Sequence, residues 1–130
     1  MQDWIIPCNP KFYNVEGAFS KLKRINWKQS SPNICVGDEI YIYVAKPIMA
    51  IKYKCRVTKV NLDSIEIDDR EFVVNGDPYI TYPVHMELEL VRQYEDELTM
   101  DILKQYGIKG SIQSPRKLNK ELESYILSIQ

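Results

Sequence analysis

The chain has 130 residues, 45% of them hydrophobic, 11% aromatic and 27% charged, which suits one globular domain with a real core and excludes extensive disorder. No apolar run approaches the roughly 20 residues of a membrane helix, and Met1-Gln2-Asp3-Trp4 is not the basic start of a secretory signal, so a cytoplasmic, membrane-free protein is expected. The formal charge of -1 hides a polarised chain. Residues 1–60 hold ten Lys/Arg against four Asp/Glu, residues 61–100 two against eleven, and residues 101–130 five against three.

In chain order, Trp4 to Asn9 reads as a short buried strand punctuated by Pro7 and Pro10, which offer no ladder donor. Val15, Ala18, Phe19 and Leu22 then fall on one helical face, with Asn14 placed to cap the first turn. Ile25 to Ser31 is polar around a single Trp and leads into the turn signal Ser31-Pro32-Asn33. After Val36-Gly37-Asp38, the segment Glu39 to Val44 alternates Ile40, Ile42 and Val44 with Tyr41 and Tyr43, a strand with one aliphatic and one phenolic face. Lys46-Pro47 interrupts it. Ile51, Tyr53, Cys55 and Val57 next alternate with Lys52, Lys54 and Arg56, a strand with a cationic face.

Ile65-Glu66-Ile67 and Phe72-Val73-Val74 are expected as short strands, Asn75-Gly76-Asp77-Pro78 as a loop, and His85 to Tyr94 as a further strand. Thr99 opens a short helix through Tyr106 that Gly107 ends; a loop follows from Gly110 to Pro115, and Asn119 to Ile129 forms the last helix. About six strands and three helices predict an α+β domain. Its sheet is mixed, mostly antiparallel and curled toward a barrel, with helices packed outside.

Catalytic constellations are not legible. His85 is the one histidine, and no glycine-flanked nucleophile accompanies it. Cys8, Cys35 and Cys55 are scattered, with neither disulfide nor zinc-ligand spacing, and read as reduced core thiols. Asp68-Asp69 and Glu95-Asp96-Glu97 read as solvated charge, and no phosphate-cradling glycine motif is present. No enzyme, metal or cofactor is expected. An enzymatic reading would need His85 and a carboxylate to converge on one cleft.

Binding chemistry is more visible. Trp27 sits between Asn26 and Lys28-Gln29-Ser30-Ser31, a polar setting in which an indole can stack on a base. Asn9 and Gln29 offer paired donors and acceptors for a base edge, and Lys28 and Arg116 suit phosphate. Residue types leave a second arrangement equally open, with Trp27 packed on the Tyr41/Tyr43 face and Asn9 and Gln29 satisfying backbone groups. A nucleotide- or small-molecule-binding regulatory protein that does not bind polynucleotides is the alternative function, favoured by the acidic stretch Asp63 to Asp77.

Trp4-Ile5-Ile6-Pro7-Cys8-Asn9-Pro10, Trp27-Lys28-Gln29, Val36-Gly37-Asp38 with Tyr41-Ile42-Tyr43-Val44, Ile51-Lys52-Tyr53-Lys54-Cys55, and Gly107-Ile108-Lys109-Gly110 with Pro115-Arg116 together resemble the EVE domain, in order and over nearly the whole chain. The resemblance implies a single EVE-like domain over 1–130, with a PUA-like fold related to YTH domains. It also implies a non-catalytic module that takes a flipped, modified base from DNA or RNA, and it allows a separately encoded nuclease as partner.

By position it makes Trp27 the stacking plate and Asn9, beside Pro10, a polar reader. Lys28, Gln29 and Ser30 become the pocket wall, Tyr43 and Pro47 its rim, and Arg116 a phosphate or base contact. Lys52, Lys54 and Arg56 would serve the nucleic-acid backbone. Ser111 stands where many EVE relatives have proline, a departure that bears on the loop placing Arg116.

Overall fold

The computed structural model describes residues 1–65, 67–74 and 82–129. Among them, one six-stranded sheet is built from β1 (Asp3–Cys8), β2 (Arg24–Lys28), β3 (Glu39–Val44), β4 (Ala50–Leu62), β5 (His85–Gln93) and β6 (Arg116–Lys117), in the order β2-β5-β4-β3-β1-β6. Only β1 and β3 pair in parallel. The α-helices among the described residues are α1 (Val15–Lys21), α2 (Met100–Gln105) and α3 (Lys120–Ser128), capped by the side chains of Asn14, Thr99 and Asn119. The expected α+β class and curled, mostly antiparallel sheet are therefore present, with the sheet open rather than closed.

The curl has local causes. Register shifts interrupt the β3/β4 ladder at Ile42/Tyr43 and the β4/β5 ladder at three places along the 13 residues of β4. Each such irregularity bends its strand and increases the local twist. Both faces of the sheet are covered. Trp4, Ile6, Cys8, Trp27, Ile40, Ile42, Tyr53, Cys55, Val57, Met86 and Leu88 pack with Val15 and Ala18 of α1. Ile5, Tyr41, Tyr43, Ile51 and Tyr94 pack on the other face with Met100 and Leu103 of α2 and Leu122 and Ile126 of α3.

Three elements differ from the sequence expectation. The polar stretch around Trp27 contains a strand, β2, because Ile25 and Trp27 alternate into the core while Asn26 finds partners of its own. Ile65 and Ile67 are not in a strand: the Asn26 side-chain amide takes both main-chain groups of Ile67, at 2.6 and 3.4 Å, as a neighbouring strand would. Phe72 ends a 3-10 turn, and Val73 makes only an isolated bridge to Tyr13. The expected loop at Asn75-Gly76-Asp77-Pro78 lies outside the described residues. Cys8 and Cys55 are buried thiols as expected, but Cys35 is exposed on the turn before β3.

That turn anchors the parallel pair. Gly37 adopts φ +93° in the Cys35–Asp38 turn, closed by a 3.0 Å bond from the Asp38 amide to the Cys35 carbonyl; such a φ at the third turn position favours glycine. Buried Asp38 then accepts from the Gln2 amide at 3.0 Å, the Trp4 indole at 3.0 Å and the Cys35 amide at 2.9 Å. Burial alone would raise its pKa, but the Cys35, Gln2 and Trp4 donors, with the N-terminal charge, hold it below the ordinary carboxylate value.

Its stabilising effect is therefore complete above an unfolded-state pKa of about 3.9 and is lost as pH falls through the lower folded-state value. Asp38→Asn, which turns an NH2 toward donors, is expected to cost about 3 kcal/mol at neutral pH. In urea titrations the gap to wild type should begin to narrow as pH falls below about 3.9. A gap independent of pH would show that the carboxylate charge does not hold this turn.

Candidate nucleic-acid cleft

A cleft of about 630 Å³ opens where the ends of several strands meet the 112–115 loop. Ile6, Pro7 and Asn9 come from the end of β1, Phe12 from the turn before α1, Trp27, Lys28 and Ser30 from the end of β2 and just beyond, and Met86 from β5, where it is Trp27's cross-strand partner. Ala45 follows β3, and Ile112, Gln113, Ser114 and Pro115 close the far side. A cleft of this size with an apolar floor and a few convergent polar groups is the usual form of a small-ligand site. Lys28 is its one charged lining residue, and no carboxylate lines it among the described residues.

Trp27 is 2% exposed, and its ring meets Tyr13 edge-on at 5.3 Å and 66°. It is first a core residue, on the face opposite Tyr41 and Tyr43, and it also lines the cleft. Asn9 is exposed at the mouth, where its Oδ1 accepts from the Lys11 amide at 2.9 Å and its main-chain oxygen from Phe12 and Tyr13. The amide nitrogen of Asn9 is thus the atom offered to a ligand. Ser30 is exposed and Lys28 half-buried along the same wall.

Other expected site residues stand elsewhere. Gln29 is buried away from the cleft lining: its Nε2 donates to Asn61 Oδ1 at 3.0 Å and to the Ser31 carbonyl, and its Oε1 accepts from the Asn61 amide at 2.7 Å. Pro10 and Arg116 do not line the cleft, and Arg116 donates to the Lys109 carbonyl at 3.3 Å. Tyr43 lines a neighbouring cavity, its phenol pKa raised by burial. Pro47, after a cis peptide bond, lies on the exposed turn between β3 and β4.

The expected backbone stripe is on the opposite face of the sheet and largely engaged. Lys54 pairs with Glu39 at 2.8 Å and lies 5.8 Å from the Tyr41 ring centroid, and Lys52 donates to the Glu95 carbonyl at 2.7 Å; Arg56 is exposed opposite Glu39. Acidic residues are similarly committed. Glu89 pairs with Arg24 and Glu97 with Arg92, while Glu87 accepts from Thr58 at 2.6 Å.

His85 and Asp69 do converge, but on a separate void of about 10 Å³ behind Trp27 that has room for no more than about one water. Among the described residues, no cluster of His, Cys, Asp and Glu could hold a metal, and no helix is long and apolar enough to cross a membrane. Phe12, Ala45, Met86, Ile112, Gln113 and Ser114 are the cleft residues that sequence patterns did not single out. The one signal for the last three was their place in the Gly110–Pro115 loop.

This architecture is a PUA-like α+β fold, the fold of ASCH domain proteins. ASCH from Zymomonas mobilis superposes with a TM-score of 0.64 at 15% identity, covering 98% of this chain and 95% of that one. A Pseudomonas putida protein gives 0.64 at 19% identity, over 98% of both chains. A hypothetical protein from Leishmania major gives 0.65 at 16%, over 99% of this chain and 94% of its own. No family model and no curated protein matches the sequence. At these identities the likeness is one of fold.

Proposed function

We propose that this domain is a non-catalytic nucleic-acid-binding module whose cleft receives one unstacked base, with a modified, methylated base as the preferred occupant. The observation that carries this is the cleft itself: an apolar lining of Ile6, Phe12, Trp27 and Met86 beside the polar Asn9, Lys28, Ser30 and Gln113, with no carboxylate among its described lining residues. Flat rings suit such a lining, and the amide and hydroxyl groups suit a base edge. The EVE resemblance supports the modified base and a separately encoded nuclease as partner; the PUA-like fold supports the nucleic-acid reading more generally.

Anisotropy titration of RNA and DNA pentamers, each with or without one N6-methyladenine or 5-methylcytosine, tests the reading. One buried methyl is worth about 0.8 kcal/mol, so a preference of about fourfold is expected from burial alone. Ser30→Glu, which sets a carboxylate on the cleft wall, should weaken binding by at least about tenfold through repulsion of phosphate. Equal affinity for modified and unmodified strands sinks the modified-base reading, and no binding to any pentamer sinks the nucleic-acid reading.

A second reading has its own support. Because Lys52 and Lys54 are tied to Glu95 and Glu39 on the far face, the cleft has no long cationic track on that strand, which favours a free nucleotide as ligand. A thermal shift with nucleotides, without pentamer binding, would establish that alternative.

A further inference from the structure

A second cavity of about 380 Å³ adjoins the cleft, and Ala45, Ile112 and Gln113 line both and form the wall between them. Its apolar surface comes from Met49, Met100 and Ile112, and it carries two exposed lysines, Lys46 and Lys104. No carboxylate lines it among the described residues. Met49 is 38% exposed and held at φ +54°, a left-handed conformation unfavourable for a side chain of this kind. Its carbonyl is fixed by the Met100 amide at 2.9 Å. An unfavourable backbone that keeps a flexible apolar side chain at a cavity is the kind of local cost found at ligand-contacting positions.

We infer that this second cavity seats the nucleotide next in the strand to the one whose base enters the cleft, with Lys46 and Lys104 on the two phosphates that flank that nucleotide. The inference rests on the base-binding reading of the cleft and adds the path of the strand. Polarisable methionine sulfur contacts any aromatic ring without reading its edge, so this subsite tolerates every base. The two lysines supply the cationic track that Lys52 and Lys54 do not. Ile112, buried in the core of the α2/α3 face, keeps the dividing wall rigid.

The test compares a 5′-mononucleotide with a single-stranded pentamer carrying the same base, the one preferred in the titrations above. Wild type should bind the pentamer at least about tenfold more tightly at low salt. Lys46→Ala/Lys104→Ala should remove most of that advantage and reduce the slope of log affinity against log salt by about 1.4, the value for two single-strand phosphate contacts. Ser111→Glu, a change on the exposed loop lining the second cavity alone, should weaken the pentamer and leave the mononucleotide unaffected.

Equal binding of pentamer and mononucleotide, or a double variant with the wild-type affinity and salt slope, overturns the subsite while the cleft reading stands. Binding of neither probe overturns both. Unchanged melting temperatures for the variants show that the readout is not one of folding.

Discussion

Trp27→Ala is expected to lower the unfolding free energy by about 3 to 5 kcal/mol, the range for emptying a buried large aromatic site. For a domain of this size that is a fall of about 10 to 20 °C in melting temperature. The indole is almost fully enclosed, touches Tyr13 edge-on and pairs across the sheet with Met86, so nearly all of its surface loses partners. Trp27→Phe should keep most of the packing. Calorimetry of both variants, with pentamer affinity measured below their transitions, separates the two roles the sequence left open. A plate would lose affinity by about tenfold or more with melting intact, since base stacking is worth about 1 to 3 kcal/mol. Packing loses stability first, and a Trp27→Ala protein that melts like wild type would refute the buried placement.

Asp69→Ala should be about as damaging, at roughly 3 to 5 kcal/mol, because it removes three buried hydrogen bonds at once. Asp69 is 3% exposed; its Oδ2 accepts from the Tyr13 hydroxyl at 2.7 Å and the Asn26 amide at 3.1 Å, and its Oδ1 from Asn26 Nδ2 at 2.9 Å. The carboxylate thereby joins the segment ending at Phe72 both to β2 and to the turn before α1. Asp69→Asn keeps one acceptor and should lose about half as much. Denaturant midpoints for the two variants, with Tyr13→Phe as a single-bond control, check the ordering. If Asp69→Ala costs no more than Tyr13→Phe, the carboxylate is not the junction described.

The elements most legible in the sequence are those whose partners lie on their own periodicity. Ile40, Ile42 and Val44 mark β3, Tyr53, Cys55 and Val57 mark β4, and Leu122 and Ile126 mark α3, because alternation or helical spacing already separates a buried face from a wet one. Asn14, Thr99 and Asn119 announced three helix starts for an equally local reason. Gly107 announced a stop: its φ is +93°, and a Cβ there would come within 2.9 Å of the Asn119 side chain. β2 was not legible because the buried Asn26 is satisfied by a carboxylate 43 residues away.

The cleft divides in the same way. Trp27, Lys28, Ser30 and Asn9 stood out by residue type and do meet. Phe12, Met86 and Gln113 join them only because β1, β2 and β5 end beside one loop. The cationic alternation of Lys52, Lys54 and Arg56 is real, yet it faces Tyr41 and Glu39 rather than the cleft.

What the sequence by itself determined is therefore the α+β class, most of the strands, the helix caps and the residue types available for a flat polar ligand, since these depend on neighbours a few positions apart. The tertiary structure decided that Trp27 is mainly packing, that Gln29 is spent on Asn61, and that two adjoining cavities lie at the 112–115 loop. Those outcomes depend on which distant chain segments the parallel β1/β3 pair and the bent β4 bring together. A side chain's partners across the sheet are set by register and curvature, which no local pattern encodes.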